Sequence, residues 1–239
     1  MMLMVNVMVN RIAFLSASGL LLMLLIMTCS KRSDKGKEEY LKNVVTDTDG
    51  NKYHTITLGT QVWMVENLNV SRFRNGDPIP NITDDAQWEQ TKEAAFSYYK
   101  NRKKNGKAYG KLYNWHAVND SRGICPPGWH VPSDEEWQIL SDFLGGNEVA
   151  GNSMKESGFK HWQKSNAGAT NSSGFSALPA GGRDEYGKFF IDSYGGHWWS
   201  TTEDGTIDIW IRSIYYGYGS VLRDSYHKNS GFSIRCIKD

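Results

Sequence analysis

Residues 125–144 read CPPGWHVPSDEEWQILSDFL, and this stretch decides the fold class. Pro126, Pro127 and Gly128 make a turn, residues 129–131 are short and extended, and Pro132 precedes a helix start. Ser133 with Glu136 three residues on is a capping box, in which each satisfies a backbone donor of the other. Asp134 and Glu135 put negative charge on the positive end of the helix dipole. Trp137, Leu140 and Leu144 recur at helical spacing, with Ile139 and Phe143 widening the apolar stripe. Gly145 and Gly146 end the helix.

Outward from this helix the pattern is short and strand-like. Upstream, residues 44–45 and 53–58 flank Asp47-Thr48-Asp49-Gly50-Asn51 as a hairpin. The same run opens like a calcium loop, but the twelfth position, where such a loop needs glutamate, holds Leu58. Residues 61–66 read as the next strand, residues 75–78 (NGDP) as a turn, and Thr83-Asp84 as the cap of a helix running to Lys92. Residues 95–99 look extended, residues 101–107 (NRKKNGK) form a solvated basic loop, and residues 109–118 carry Tyr109, Leu112, Tyr113 and His116 at helical spacing.

Downstream, residues 145–174 are rich in Gly, Ser and Asn, with short ordered pieces near residues 153–156 and Trp162. Strands are expected at 175–179, 182–183, 188–191, 197–200, 207–216, 220–226 and 231–237. No internal repeat is visible. Residues 44–239 read as one α+β domain of short, mostly antiparallel strands with two or three short helices.

The 239 residues include 24 Gly, 6 Pro, 9 Trp, 12 Tyr and 9 Phe, a mix suited to a compact, turn-rich fold. Residues 1–28 hold Arg11 and no acid, so the other 26 Lys and Arg balance 26 Asp and Glu. Nucleic-acid binders concentrate positive charge. This balance points away from nucleic acid.

Residues 12–28 (IAFLSASGLLLMLLIMT) follow Arg11 as an uncharged apolar run, and Cys29 comes next. The arrangement resembles a bacterial lipoprotein signal peptide. It makes residues 1–28 the signal and Cys29 the lipidated first residue, with an uncleaved anchor or a plain secretory signal as alternatives. Translation can start at Met1 or Met8. Residues 29–43 are charged and nearly devoid of core-forming side chains, which reads as a flexible tether. The expected location is the cell envelope, periplasmic or cell-surface, on a membrane reached through the N-terminal lipid.

Cys125 and Cys236 remain. In an exported chain two such cysteines favour a disulfide over a catalytic thiol or a metal pair.

Several segments taken together resemble a family. They are residues 47–53 (DTDGNKY), 61–68 (QVWMVENL), 113–115 (YNW), 125–132 (CPPGWHVP), 136–137 (EW), 177–183 (ALPAGGR), 198–203 (WWSTTE) and 231–236 (GFSIRC). Over nearly all of residues 44–239 they are similar to the Fibrobacter succinogenes major paralogous domain family of exported bacterial proteins. The resemblance implies a C-type-lectin-like fold, distantly similar to the formylglycine-generating enzyme superfamily, and no established activity. The Glu-Pro-Asn, Gln-Pro-Asp and Trp-Asn-Asp motifs of calcium-dependent lectins are missing. The formylglycine-generating enzymes need a close cysteine pair that binds copper, whereas a structural bridge accounts for Cys125 and Cys236.

No catalytic constellation stands out. His54, His116, His130, His161, His197 and His227 are scattered, so neither a metal site nor a cofactor is expected. A hydrogen-bonded structural role is expected for His130. No nucleophile elbow or phosphate loop occurs. The aromatic-rich last third is the candidate site. Alternation sets Trp210, Arg212, Ile214 and Tyr216 on one strand face and Ile209, Ile211, Ser213 and Tyr215 on the other. Trp198, Trp199, Trp210, Arg212, Tyr216 and Tyr218 are thus the candidate ligand-binding residues, of types enriched at binding hot spots. The competing reading is that they cover a sheet. The expected function is non-catalytic binding of a glycan or surface protein. The alternatives are a formylglycine-generating-type oxidase and a structural or adhesive envelope protein.

Overall fold

The structure, a computed structural model, describes residues 43–190 and 193–239. The expected signal peptide, Cys29 and all of the tether except Asn43 lie outside the described residues. Val44–Asp239 forms one compact unit. Among the described residues, no helix is long and apolar enough to cross a membrane.

The chain opens on β1 (Val44–Thr46), β2 (Lys52–Leu58) and β3 (Gln61–Met64), followed by α1 (Asp85–Gln90) and β4 (Phe96–Ser97). Two single turns of 3-10 helix (Tyr99–Asn101 and Lys103–Asn105) run into α2 (Gly106–Tyr109). β5 (Leu112–Tyr113), α3 (Trp115–Val118), β6 (Trp129–His130), α4 (Asp134–Phe143) and α5 (Asn147–Met154) come next. The last third holds β7 (Gly182–Arg183), β8 (Phe189–Phe190), β9 (Gly195–Asp204), β10 (Asp208–Tyr215), β11 (Val221–His227) and β12 (Ile237–Lys238).

The strands pair antiparallel in sheets ordered β1-β2-β3-β12-β6, β11-β10-β9, β4-β5 and β7-β8. The expected α+β class stands. The first hairpin turns on Asp47, whose carboxylate accepts from the Asp49 and Asn51 backbone N–H groups (2.9 Å each) and from the Tyr53 hydroxyl (2.6 Å). Those bonds make the Asp-x-Asp-Gly-Asn run a turn.

The helix at the centre of the sequence argument forms with its capping box intact. Ser133 Oγ accepts from Glu136 N, and Glu136 Oε2 accepts from Ser133 N at 2.7 Å. Its buried stripe is narrower than expected. Trp137 and Leu140 are buried, whereas Ile139 and Phe143 are exposed.

The expected helix over residues 109–118 is a correction. Gly110, at φ +73°, ends the four-residue α2, and a Cβ there would meet Leu68 O at 2.6 Å. β5 then pairs with β4, and Asn114 caps the separate α3. α5 was not legible, because Asn147–Met154 contains Gly151 and Asn152 and few strong helix formers. It exists because Ala150, Gly151 and Met154 are buried against the rest of the domain.

Two large apolar clusters lie on opposite faces of the β11-β10-β9 sheet. Trp199, Ile209 and Ile211 belong to one, with Tyr113, Phe232 and both cysteines of the disulfide. Trp198, Ile214 and Val221 belong to the other, with Trp63, Trp137 and Phe175. Trp63 and Trp137 pack with ring centroids 4.7 Å apart. Burying one such large side chain contributes on the order of 1.5–3 kcal/mol.

Cys125 and Cys236 are bonded across a sequence separation of 111 residues. The segment expected as a strand at 231–237 instead bridges several partners in turn: Gly231 to Arg183, Phe232 to Tyr113, Ser233 to Trp198, and then β12 between β3 and β6. The disulfide therefore fastens the segment that stitches the sheets together.

Candidate functional site

Alternation along β9 sends Trp198 and Trp199 into opposite cores, and both are fully buried. Trp198 Nε1 donates to Asn67 Oδ1 (2.8 Å) and Trp199 Nε1 to Tyr113 O (2.6 Å). Neither can face a ligand, so both leave the candidate list. Arg212 leaves it too. It is 1% exposed, and its guanidinium is committed to the Asp134 carboxylate and, at 3.1 Å, to Asp134 O. α4 covers the face that alternation assigned to a ligand. Trp210 is half-buried, with the Arg223 guanidinium 3.3 Å from its ring centroid and Arg223 Nε donating to Asp134 Oδ2 at 2.9 Å.

Tyr216 and Tyr218 remain, and Tyr194 joins them. Tyr218 is 65% exposed and Tyr194 45%. The rings of Tyr194 and Tyr216 meet edge to face at 5.2 Å, and Tyr216 N donates to Tyr194 O at 2.9 Å. Tyr194 lies on the turn before β9, and Tyr216 and Tyr218 lie on the loop between β10 and β11. That loop is held by Lys155, which caps the C-terminus of α5 and is fully buried. Its Nζ donates to Ala167 O (2.7 Å), Tyr218 O (2.7 Å), Tyr215 O (3.3 Å) and Tyr216 O (3.4 Å). Burial pushes the Lys155 ammonium down to about 8. α5 approaches the loop so closely that a Cβ on Gly151 would lie 2.8 Å from Gly219 O and Ser220 O.

The result is an exposed Tyr218 on a loop tied at three carbonyls, with an exposed Tyr194 on the neighbouring turn. Tyrosine offers a flat apolar face and a hydroxyl at small entropic cost, and a fixed loop loses little freedom on binding. Sequence reasoning missed Lys155 and Tyr194. Lys155 is one lysine in a polar connection, and nothing local marks its burial. Tyr194 lies in a Gly-flanked turn, where its exposure alone was a signal.

Two histidines and the domain cysteines have local roles. His130 lies between Glu136 Oε1 (2.9 Å) and Asp239 Oδ1 (2.7 Å), the hydrogen-bonded role expected of it. His197 is buried with Nδ1 2.9 Å from Ser213 Oγ, and burial pushes its imidazole down to about 3. Both domain thiols are joined in the disulfide. Among the described residues, no group of three or more His, Cys, Asp and Glu side chains could hold a metal ion.

Residues 56–238 match the family model described as the Fibrobacter succinogenes major domain. No curated protein and no solved structure matches the chain.

Proposed function

The chain belongs to the Fibrobacter succinogenes major domain family, and from that premise we propose that it is an exported, membrane-anchored lipoprotein. Its domain binds an extracellular or envelope ligand, glycan or protein, without catalysis, on a C-type-lectin-like fold. Short antiparallel sheets joined by long loops, with a disulfide fixing the last strand, support that fold reading.

The observation that carries the binding reading is the exposed Tyr218 on a loop whose backbone Lys155 ties down, with the exposed Tyr194 beside it, its carbonyl accepting from Tyr216 N. Tyrosine is among the residue types enriched at binding hot spots, and a tethered backbone limits the freedom lost on binding. The test is a glycan and envelope-protein binding screen on the purified chain, repeated with Tyr218→Ala and Tyr194→Ala. A ligand that both substitutions weaken, with unchanged thermal stability, supports the site. Equal affinity in all three proteins removes it, and an empty screen favours a structural or adhesive envelope role.

A further inference from the structure

A second polar feature lies between the β1–β2 turn and the basic segment around α2. A pocket of about 210 Å³ is lined there by Asn51, Lys52, Glu66, Asn69, Gly106 and Lys107, among others. A Cβ on Gly106 would lie 3.0 Å from Asn69 Oδ1 and 2.6 Å from the Tyr98 ring, so this wall admits no side chain. Asn69 Oδ1 is buried and meets no donor among the described residues.

Beside Asn69 lies Lys111, 2% exposed. Its Nζ donates to Asn69 O (2.6 Å) and Ser71 Oγ (2.7 Å), 4.5 Å from the Phe96 ring centroid. No carboxylate pairs with it among the described residues. Burial pushes its ammonium down to about 8, and the nearby charge of Lys103 adds to that, against Asp49 and Asp47.

The acids nearby are already engaged. Asp47 is held by its own turn and Tyr53, Asp49 Oδ2 accepts from Ser71 N (2.6 Å), and Glu66 accepts from His54 N (2.8 Å) and lies 2.7 Å from His54 Nδ1. The exposed cations are not. Lys52, Lys103, Lys104 and Lys107 make no ion pair among the described residues. Asn51 Nδ2 is spent on Asp47 Oδ2 (2.8 Å) and Asn69 O (3.3 Å), which leaves Asn51 Oδ1 and Asn69 Nδ2 to meet hydroxyls. A small cavity thus combines uncommitted ammonium groups on its walls with one amide acceptor and one amide donor.

We propose that this pocket binds a phosphorylated sugar, with Lys52 and Lys107 on the phosphate and the Asn51 and Asn69 amides on the ring hydroxyls. Its volume is below the usual range for drug-sized ligands, which restricts it to a single sugar unit. Ammonium–phosphate hydrogen bonds are among the stronger polar contacts, so the phosphate dominates affinity. The site shares no residue with the tyrosine surface and stands or falls separately from it.

The test uses the full chain, labelled with ¹⁵N and purified in detergent micelles. It is titrated with glucose 6-phosphate, mannose 6-phosphate and N-acetylglucosamine 1-phosphate, with glucose, with inorganic phosphate, and with short-chain phosphatidylinositol in the same micelles. The expected result is movement of the Asn51, Asn69 and Gly106 amide signals with at least one sugar phosphate or with the phosphoinositol lipid. A response to the soluble compounds alone identifies a free sugar phosphate, and a response to the lipid alone identifies a headgroup. Lys52→Gln with Lys107→Gln should weaken binding about tenfold or more. No movement with any phosphorylated probe, equal movement with glucose, equally tight binding of inorganic phosphate, or full affinity in the double variant each overturns the assignment.

Discussion

Replacing Asp134 with alanine separates two accounts of this residue. At the first turn of α4 it complements the helix dipole, a role worth about 0.3–1 kcal/mol. The structure gives it a second one, because its carboxylate pairs with Arg212, a guanidinium 1% exposed. Arg212 Nε already lacks a partner. Removing the carboxylate leaves a buried charge uncompensated, which costs about 3–5 kcal/mol. The Arg223 contact, on a side chain 42% exposed, adds little. For a domain of this size each kcal/mol moves the melting point by about 2–4 °C, so Asp134→Ala should lower Tm by about 6–20 °C.

Chemical and thermal denaturation measure the loss. The double variant Asp134→Ala with Arg212→Met should regain most of the stability, because no unpaired charge then remains. A loss below about 1 kcal/mol for Asp134→Ala would match the dipole role alone and refute the reasoning. A double variant no more stable than the single one would refute it too.

Three further outcomes are expected. Replacing Cys125 and Cys236 together with alanine opens a loop spanning 111 residues and should cost about 4–5 kcal/mol in the chain-entropy account, read as a lower denaturation midpoint; an unchanged midpoint would contradict it. For His130, burial lowers the pKa, but the hydrogen bonds to Asp239 and Glu136 outweigh it and the net shift is upward from 6.5. Its stabilising share is therefore full below about pH 6.5 and lost as pH rises through the raised folded value, so the stability gap between wild type and His130→Gln should narrow with rising pH, and a gap that widens would reverse the sign. Lys155→Met leaves Ala167 O and Tyr218 O without a donor among the described residues, each at a cost of about 1–3 kcal/mol. Amide exchange over residues 216–220 should speed up before the rest of the domain loosens, and uniform exchange would count against the tether.

Much of the fold was legible because its signals are local. The capping box needs only Ser133 and Glu136, and the Asp47 turn closes through residues within six positions of it. The disulfide followed from a count of two cysteines in a domain whose upstream sequence resembles an export signal. The helix expected over residues 109–118 failed because Tyr109, Leu112, Tyr113 and His116 fit helical spacing while Gly110 must lie against Leu68 O, a contact 42 residues away in sequence.

The candidate site was half legible. Alternation placed Arg212 with Trp210 on one face of β10, as observed, and residue type drew attention to tyrosines, of which Tyr218 is exposed and Tyr216 half-buried. Neither could say what covers that face. Burial is a property of what packs on a residue, and the cover came from α4, more than 70 residues upstream, with Asp134 as its contact.

By itself, then, the sequence determined the α+β class, the capped helix, the hairpin turn, the cysteine pair and the family, because each rests on neighbours in the chain or on motif order. Only the tertiary structure decided which aromatic residues are core and which are surface. It buried Trp198, Trp199 and Arg212, left Tyr218 and Tyr194 exposed, and put Lys155 under the loop that carries Tyr218. The physical reason is that exposure and charge pairing are set by long-range contacts. The same Trp or Arg can anchor a core or a ligand depending on which distant element lies over it.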